Sequence, residues 1–584
     1  MKIMEIAGRK FIFEDYGQGV LCKLNGEEKN GVLCLRICME FPERSRPGKA
    51  SLKFSMPALG TDGIWTACGG LNRWLTPDWG PVVLHARSVS EYPVLSVVSF
   101  DDKNVFTASA ADTPCTLSVG YREENSLLVF EAVWPSETGE RSGIYRTELV
   151  FDFRRLHFAG CVRHAAERLE KKYGLEPAPA SAFAPVFSTW YCFHQEVYRE
   201  RLLAECREAK NLGLEAVILD DGWETEDNGR GFGYTGDYRP AAAKVGDIRS
   251  LTAELRAMGL KTMIWFSLAF AGDFSESTPR YRGMTLYHDD VQNAYVVDPR
   301  FAAVRAHIVG YCTEAVCDWG FDGLKLDFID SFRLSEENVV REGTDCVSLE
   351  EGTTRLIDEL KEALKSAGKE VLIEFRQKYV GPEMQRLGNM LRVGDCPGSL
   401  LQNRVSAIDL RLIAGGRAVH ADPLEWNSDE KPETVAIYFI NLIFSVLQYS
   451  AFPSGLSREQ RAVSVRYIRF MKAYEDILLH GTLEPKGVLF NYLSCKAVGE
   501  RGAVVALYAP VCTELKENKI IILNGSGADC VTVDVVCPYD YTAEDCFGNF
   551  VGKGKAEGVM KICVPSGGIV CLDKSMAKDC PREI

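Results

Sequence analysis

The segment GFDGLKLDFID (residues 320–330) places charged side chains inside what reads as a buried strand. Lys325 and Asp327 stand two positions apart, and Asp330 follows them. Side chains alternate between the two faces of a strand, so Lys325 and Asp327 must point the same way. Burying a cation and a carboxylate together is costly unless the protein uses the pair. This segment is therefore the first candidate for a chemical site.

Further polar side chains stand at the ends of other predicted strands. They are Asp220, Asp221 and Trp223 on the second strand, Trp265 on the third, Glu374, Arg376 and Gln377 on the fifth, Arg392 and Asp395 on the sixth, and His420 and Asp422 on the seventh. A barrel of parallel strands brings these ends to one rim, where such enzymes carry out catalysis. Carboxylates collected on one rim repel one another and lose solvation. A structural role gives no reason to collect them, so the pattern indicates a catalytic rim.

Several familiar kinds of catalytic site are missing from the sequence. It has no HExxH metal motif, no GxGxxG that opens a βα turn and no GxxxxGK[ST] phosphate loop. It also has no GxSxG nucleophile elbow. We therefore expect no metal and no cofactor. Carboxylates with aromatic residues remain, and glycoside hydrolysis needs such a set, with one carboxylate as nucleophile and another as acid/base.

The overall charge narrows the class of partner. The formal net charge is −14, and no dense stripe of lysine and arginine interrupts it. Such a chain is not suited to a polyanion, so we expect no nucleic-acid partner and favour a small-molecule oligosaccharide or glycoside. The longest apolar run, AIYFINLIFSVL (residues 436–447), is too short to span a bilayer. No membrane association is expected.

The cysteine content and the first residues bear on location. The chain has 20 cysteines, none of them in a CxxC pair. Many lie within apolar runs, as buried reduced thiols of a cytosolic protein do. The first seventeen residues contain no continuous apolar stretch of the kind that signal peptides carry. We therefore predict a cytoplasmic protein.

The order of apolar runs predicts three parts. Residues 1–175 read as short alternating strands of an N-terminal β-sandwich. Residues 176–484 begin with a Pro/Ala-rich linker and then alternate strands with amphipathic helices, which predicts a (β/α)8 barrel, with a doubly wound open sheet as the alternative. Residues 485–584 return to short strands of a small C-terminal β-sandwich. The predicted barrel strands are 185–191, 216–223, 262–268, 323–330, 371–377, 390–395, 417–423 and 450–454.

Four motifs, in order along the predicted barrel, resemble glycoside hydrolase family 36. They are ILDDGW (residues 218–223), GDY (236–238), MIWF (263–266) and KLDF (325–328). The resemblance extends more loosely to families 27 and 31, and the flanking β-domains also match. It implies a retaining exo-acting α-glycosidase that hydrolyses terminal α-linked galactose or a close variant. Two carboxyl groups about 5–5.5 Å apart would carry out that double displacement.

The resemblance also implies roles for individual residues. Asp327 would be the nucleophile and Asp395 the acid/base. Substrate contacts would fall to Asp220, Asp221, Trp223, Asp237, Lys325 and Arg404, with Trp265 and Arg376 added from their places on the rim. We expect Lys325 to hold Asp327 ionised, as a nucleophile must be. We expect neighbours of Asp395 to raise its pKa, so that it can donate a proton.

The sequence departs from the family where the sugar C2 hydroxyl should bind. A Cys-Ser-Gly-Gly-Gly segment is absent, and IEFRQKYVGPE (residues 373–383) stands in its place. Leu326 and Ile329 replace the family's Trp and Asn around the nucleophile, and RVGDCPGS (residues 392–399) replaces its acid/base segment. Arg376 is placed to meet a modified C2 group or an acidic substituent. An α-galactosyl transglycosylase of the raffinose-synthase type and a non-catalytic sugar-binding protein stay open as alternatives, as does a homo-oligomer.

Some residues have two interpretations from sequence alone. His420 reads more readily as a satisfied core histidine than as a catalyst. Trp65, Trp74 and Trp79 fit either the sandwich core or a loop over the active site. Only the tertiary structure separates these interpretations.

Overall fold

The N-terminal region consists of two antiparallel sheets in a computed structural model that describes residues 1–16, 19–41, 50–134, 143–229, 231–334 and 341–574. Its strands are β1 (Lys2–Ile6), β2 (Arg9–Glu14), β3 (Leu21–Lys29), β4 (Val32–Phe41), β5 (Ala50–Pro57), β6 (Gly63–Thr66), β7 (Val82–Ala86), β8 (Val94–Val98), β9 (Asn104–Ala110), β10 (Cys115–Arg122), β11 (Leu127–Trp134) and β12 (Gly143–Asp152). The strand orders are β1-β2-β5-β11-β10-β7 and β3-β4-β12-β9-β8-β6. Phe54, Phe106 and Phe151 are buried in their common core. The predicted β-sandwich is confirmed.

A helix follows the sandwich where the sequence analysis expected only strands. Helix α1 (Phe158–Tyr173) buries Phe158, Val162, Ala165 and Leu169. These residues recur every three or four positions, which is the period of a helix face rather than of a strand. The strand-like interpretation is therefore wrong for this segment. The predicted domain boundaries at 175 and 484 stay predictions.

The central region is a barrel of eight parallel strands. Its elements in chain order are β13 (Val186–Ser188), α2 (Trp190–Phe193), α3 (Arg199–Leu212), β14 (Ala216–Leu219), α4 (Ile248–Ala257), β15 (Lys261–Ser267), β16 (Phe270–Gly272), β17 (Thr285–Asp289), β18 (Ala294–Val297), α5 (Ala302–Cys317), β19 (Gly323–Asp327), α6 (Leu349–Lys365), β20 (Leu372–Arg376), β21 (Met390–Arg392), α7 (Leu400–Arg411), β22 (Ala418–His420), α8 (Pro432–Asn441), β23 (Gln448–Tyr449), α9 (Arg458–Ala473) and α10 (Glu475–Leu478). The barrel order is β22-β21-β20-β19-β15-β14-β13-β23. A parallel bridge between His420 and Val446 joins the two ends. The (β/α)8 prediction is confirmed, and the open sheet is excluded.

Seven of the eight barrel strands lie within the predicted segments or one residue from them. The eighth is wrong, because the strand is Gln448–Tyr449 and not residues 450–454. In the described chain, residues 450–454 instead lead into a 3-10 turn at Pro453–Gly455. Proline has no N–H to give to a ladder, which suits this turn better than a central strand. The small antiparallel sheet β16-β18-β17, inserted after the third barrel strand, was not anticipated.

The C-terminal region is a single sheet that wraps around its own core. Its strands are β24 (Thr482–Lys486), β25 (Ser494–Gly499), β26 (Gly502–Leu507), β27 (Cys512–Leu515), β28 (Lys519–Asn524), β29 (Cys530–Glu544), β30 (Phe550–Cys563) and β31 (Ile569–Lys574). Strand β29 pairs with β27 through its first half and with β31 through its second. The register shifts between Val535 and Tyr539, where the strand passes from one half to the other. This arrangement agrees with the predicted small β-sandwich.

Two further expectations can be compared with the described residues. No helix among them is both long and apolar enough to cross a membrane. Eighteen of the cysteines in the described part of the chain are free thiols. Cys537 is disulfide-bonded, so the expectation that all cysteines are reduced is wrong for this residue.

A buried polar cluster joins the three regions. The guanidinium of Arg73 donates to the Asp409 carboxylate on α7 at 2.5 Å and to the Tyr492 hydroxyl at 2.9 Å. The indole of Trp65 donates to the same carboxylate at 2.8 Å. Burial raises the pKa of Asp409, and the charge of Arg73 opposes that rise. A buried ion pair of this kind contributes little when intact, but losing one partner strands the other charge.

We expect Asp409→Ala to reduce the free energy of unfolding by about 3–5 kcal/mol, because Arg73 then keeps a buried charge without a carboxylate. Chemical denaturation monitored by fluorescence measures this loss. The matched control is Glu362→Ala, which removes the carboxylate of the exposed pair with Lys365. Equal midpoints for the two variants would contradict the structural weight given to this junction.

Candidate active site

The carboxyl ends of the barrel strands bring six of the ten predicted site residues together. These six are Asp220 after β14, Trp265 on β15, Lys325 and Asp327 on β19, Arg376 on β20, and Asp395 after β21. Strand β15 pairs with β19, which places Trp265 opposite Lys325. Strand β19 in turn pairs with β20. The cluster therefore follows from barrel order, as the sequence predicts.

Asp327 is held by one of its two carboxylate oxygens. Its Oδ1 accepts from the Phe328 N–H at 2.8 Å and the Arg376 Nε–H at 2.6 Å, and the Tyr379 hydroxyl lies 3.1 Å from it. Its Oδ2 has only the Trp265 indole N–H at 3.4 Å among the described contacts. Phe328 has a φ of 60°, a left-handed conformation that is uncommon for a bulky residue and turns the chain sharply after the strand. The available oxygen is therefore Oδ2.

The cation beside Asp327 is not the one that the sequence suggested. Lys325 lies with its Nζ 2.5 Å from Asp220 Oδ2, whereas Arg376 makes the direct ion pair with Asp327. Burial would raise the pKa of Asp327, but the charge of Arg376, and after it that of Lys325, holds this pKa well below its ordinary value. Asp327 is ionised, as expected, with Arg376 as the principal cause and Lys325 as a secondary one.

Asp395 has an electrostatic setting opposite to the expected one. Its Oδ1 is 2.8 Å from Arg392 Nη2, and its Oδ2 is 3.6 Å from Arg376 Nη1. Burial favours the neutral acid, but Arg392 and then Arg376 keep the pKa of Asp395 below its ordinary value. The expectation of a raised pKa is therefore wrong for the free protein. The Asp395 side chain is 43% exposed against 10% for Asp327, so it stands at the mouth of the cluster.

Arg392 connects Asp395 to a second, fully buried set of carboxyl groups. It lies 2.5 Å from Asp422 and 3.4 Å from Glu374. Burial raises the pKa of Asp422 to about 6, with Arg392 opposing this rise. Glu374 also accepts a hydrogen bond from the Gln448 amide. Arg392 therefore compensates three carboxyl groups, of which only Asp395 is substantially exposed.

Four predicted site residues lie away from this cluster. The Trp223 ring is buried against Tyr238, Phe266 and Trp319, on the other face of β15 from Trp265. The Asp237 carboxylate accepts from the backbone N–H groups of residues 276 and 277 in the loop that follows β16. Arg404 donates to the Asn441 side chain and the residue 491 carbonyl at the C-terminal sheet. Residue type and motif alone do not tell which neighbours these three side chains contact.

Asp221 is the fourth of these residues and contacts Gln195 instead of the cluster. Its Oδ2 accepts from the Gln195 amide at 2.8 Å, and only 2% of the residue is exposed. Burial raises the pKa of Asp221 to about 6, and burial together with the charge of Asp221 raises the pKa of Glu224 well above its ordinary value. Burial thus favours the neutral form of both acids. Its described hydrogen bond thus joins Asp221 to Gln195 and not to Asp327 or Asp395.

Tyr379 is a contact of the site that the sequence analysis missed. It lies three residues after Arg376, within the segment that replaces the family's C2 loop, and its hydroxyl contacts Asp327 and Asp330. A tyrosine in a substituted loop of the rim was the available signal. Gln195 and Gln448 were also missed, because an amide far away in sequence gives no local pattern.

The structure separates the alternative interpretations of other residues. Buried His420 donates from Nε2 to the Ala182 carbonyl at 2.7 Å and accepts at Nδ1 from Gln448 at 3.3 Å, so it is a satisfied core histidine. Trp65 is buried, whereas Trp74 is 50% exposed and Trp79 is 79% exposed. Among the described residues, no group of three or more His, Cys, Asp or Glu side chains fits a metal ion.

Comparison with known proteins relates this fold to a group of solved structures. No protein-family profile matches the sequence, and no curated protein matches it either. The α-galactosidase AgaA of glycoside hydrolase family 36 from Geobacillus stearothermophilus superposes with a TM-score of 0.63 at 15% identity, over 97% of this chain and 83% of that one. The α-galactosidase from Lactobacillus brevis gives 0.63 at 14% identity, over 98% and 83%.

A third similar structure was solved with an oligosaccharide. The α-galactosidase TtGalA from Thermus thermophilus, in complex with stachyose, gives a TM-score of 0.55 at 17% identity, over 80% of this chain and 98% of that one. At such identities the likeness establishes the fold. The chain thus has the three-part fold of the family 36 α-galactosidases, and its activity must be argued from its own site.

His420 gives a test of the barrel interior. Burial lowers the pKa of His420 to about 4. The unfolded chain therefore binds a proton between about pH 6.5 and 4 that the folded chain does not, so stability falls as the pH falls through this range. We expect His420→Gln, whose amide can still donate to the Ala182 carbonyl, to remove up to about 3 kcal/mol of this acid-side loss. Denaturation at pH 7 and pH 4 measures it, and an unchanged pH difference would contradict a buried neutral His420.

Proposed function

We propose that the protein is a retaining exo-α-glycosidase acting on terminal α-linked galactose or a galactose-like sugar modified at C2. One observation carries the proposal. Asp327 is an ionised carboxylate with Oδ1 fixed by two donors and Oδ2 available, and Asp395 lies across the Arg376 guanidinium from it. Two carboxylates that flank a small space are the equipment of glycosidic double displacement. The likeness in fold to family 36 α-galactosidases supports the same class.

The two carboxylates would divide the reaction between them. Asp327 Oδ2 attacks the anomeric carbon, and the glycosidic C–O bond breaks as the leaving oxygen takes a proton from Asp395. A water molecule then gives a proton to Asp395 and attacks the anomeric carbon, which releases Asp327 and the sugar. The configuration is inverted twice and so retained. Retention also requires the separation of about 5–5.5 Å between the carboxyl groups, which stays a prediction.

The remaining rim residues suit a neutral sugar ring. The Asp220–Lys325 pair offers an acceptor and a donor to hydroxyl groups, and Trp265 offers an aromatic edge beside the nucleophile. Arg376 stands where the family's C2 loop would be, and its side chain is 19% exposed. A C2 substituent that accepts hydrogen bonds, such as an acetamido group, would suit this arginine. The axial or equatorial preference at C4 would then depend on Asp220.

A transglycosylase would use the same carboxylates, with an acceptor hydroxyl in place of water. The cluster fits water and an acceptor hydroxyl equally well. Hydrolysis is our primary proposal, and transfer to an acceptor sugar is the alternative. Product analysis with an added acceptor sugar separates the two. We also propose a cytoplasmic location, which the many free thiols among the described residues support, and self-association stays a prediction.

Removing either carboxylate should abolish turnover, and the product formed with azide should show which of the two was removed. We expect Asp327→Gly and Asp395→Gly to lower release of the phenol from an aryl α-galactoside by about 1,000-fold or more. Azide should then give the β-galactosyl azide with the Asp327 variant and the α-galactosyl azide with the Asp395 variant, because azide replaces a different group in each.

Asp237→Asn is the matched control, since its carboxylate lies away from the cluster and accepts from the backbone N–H groups of residues 276 and 277. It should keep near-normal activity. Full activity in the Asp327 variant would overturn the mechanism, and a parallel loss in all three variants would point to general misfolding.

The ionised state of Asp395 predicts how the rate depends on pH and leaving group. Arg392 and Arg376 lower its pKa, so the acid form becomes scarcer as the pH rises above this lowered value. An alkyl galactoside, whose leaving group needs a proton, should lose kcat/KM between pH 4 and 7, about tenfold per unit at the limit. A dinitrophenyl galactoside, whose leaving group departs without a proton, should change much less. Equal pH profiles for the two substrates would contradict Asp395 as the acid.

A further inference from the structure

The hydroxyl of Tyr379 lies between two carboxylates, that of Asp330 and that of the proposed nucleophile Asp327. The side chain is fully buried, and its hydroxyl lies 2.8 Å from Asp330 Oδ1 and 3.1 Å from Asp327 Oδ1. The Phe328 N–H points at the same hydroxyl from 3.1 Å. Burial, and after it the charge of Asp327, raises the pKa of Tyr379 well above its ordinary value. The phenol therefore keeps its proton and can donate to only one carboxylate at a time.

The two acceptors of this proton differ in their surroundings. Asp327 Oδ1 already accepts from the Phe328 N–H and from Arg376, whereas Asp330 is exposed to water and lies closer to the hydroxyl. In the free protein the shorter contact places the proton toward Asp330. A small rotation of the phenolic O–H is sufficient to move it to Asp327. The backbone of Tyr379 is fixed, since its N–H donates to the Arg376 carbonyl at 2.8 Å.

We propose that Tyr379 is a positioning residue that withholds its proton from Asp327 during attack and supplies a hydrogen bond to it during departure. This inference rests on the proposed glycosidase function. A donor on the resting carboxylate would stabilise the charge that attack must remove, and so slow the first step. The same donor stabilises the charge that returns to Asp327 when the glycosyl ester breaks, and so speeds the second step. Because Asp330 is the alternative acceptor, one hydroxyl can be turned away from Asp327 in the first step and donate to it in the second.

The O–H bond of Tyr379 is not broken in this scheme. The O–H of Tyr379 turns from one carboxylate to the other while the phenol stays neutral, and Asp330 stays a carboxylate throughout. During the second step the electron pair of the ester bond returns to Asp327, and the water proton goes to Asp395. Tyr379 lies within the segment IEFRQKYVGPE (residues 373–383), which also carries Arg376.

The test uses the full-length protein, 2,4-dinitrophenyl α-galactoside and rapid mixing. Release of dinitrophenol in the first turnover and kcat/KM report the attack on the sugar, and kcat reports breakdown of the glycosyl-enzyme when that step is limiting. Tyr379→Phe removes the hydroxyl, and we expect kcat to fall about 10-fold to 100-fold with kcat/KM within about threefold of the wild type. A burst of dinitrophenol should become more pronounced.

Asp330→Asn provides the opposite expectation. An amide oxygen is a weaker acceptor than a carboxylate, so the Tyr379 proton stays on Asp327, and kcat/KM should fall about tenfold while kcat changes little. Tyr311→Phe is the control, because it removes a different buried hydroxyl, which donates to the Ser267 carbonyl. It should leave the ratio of the two constants unchanged.

The outcomes separate the inference from the function on which it rests. A wild-type protein that releases no phenol from this galactoside or from its 2-acetamido analogue overturns the proposed function and the inference with it. A wild-type protein that turns over, with equal losses of kcat and kcat/KM in Tyr379→Phe, overturns the inference alone. Opposite patterns in Tyr379→Phe and Asp330→Asn support it.

Discussion

The barrel rim depends on cations placed between carboxylates that would otherwise repel one another. Arg376 lies between Asp327 and Asp395, and Arg392 links Asp395 to Glu374 and Asp422. Lys325 compensates Asp220 in the same way. Several buried acids within one small volume would each lose several kcal/mol of solvation without such partners. The alternation of charge therefore makes the rest of the site possible.

The same cations also set the protonation states from which the chemistry starts. Arg376 keeps Asp327 ionised, which suits a nucleophile, but with Arg392 it also keeps Asp395 ionised, which suits a base better than an acid. A bound aglycone would cover the exposed part of Asp395 and favour its neutral form. In the proposed reaction, acid catalysis would then depend on substrate binding, whereas the water-activating step would use the carboxylate as it stands.

Much of the fold was predictable because it depends on local pattern. Short apolar strands alternating with helices gave seven of the eight barrel strands, since strand and helix periods are readable within a dozen residues. The eighth strand, only two residues long, has too little pattern to be located. Helix α1 was not predicted, because the strand pattern of the residues before it was extended over this segment. Trp223 and Arg404 matched a motif but point elsewhere, since a motif gives residue type and spacing but not what packs behind the strand.

The sequence by itself determined that Lys325 and Asp327 share one face of β19, because side chains alternate along a strand. The ends of the neighbouring strands further indicated Asp220, Trp265, Arg376 and Asp395. Only the tertiary structure decided which charge pairs with which. Lys325 stands beside Asp327 in sequence but binds Asp220, and Arg376, 49 residues away, binds Asp327. Ion pairs form between charged groups that lie within a few ångströms in space. The barrel brings such groups together from strands that are distant in the chain.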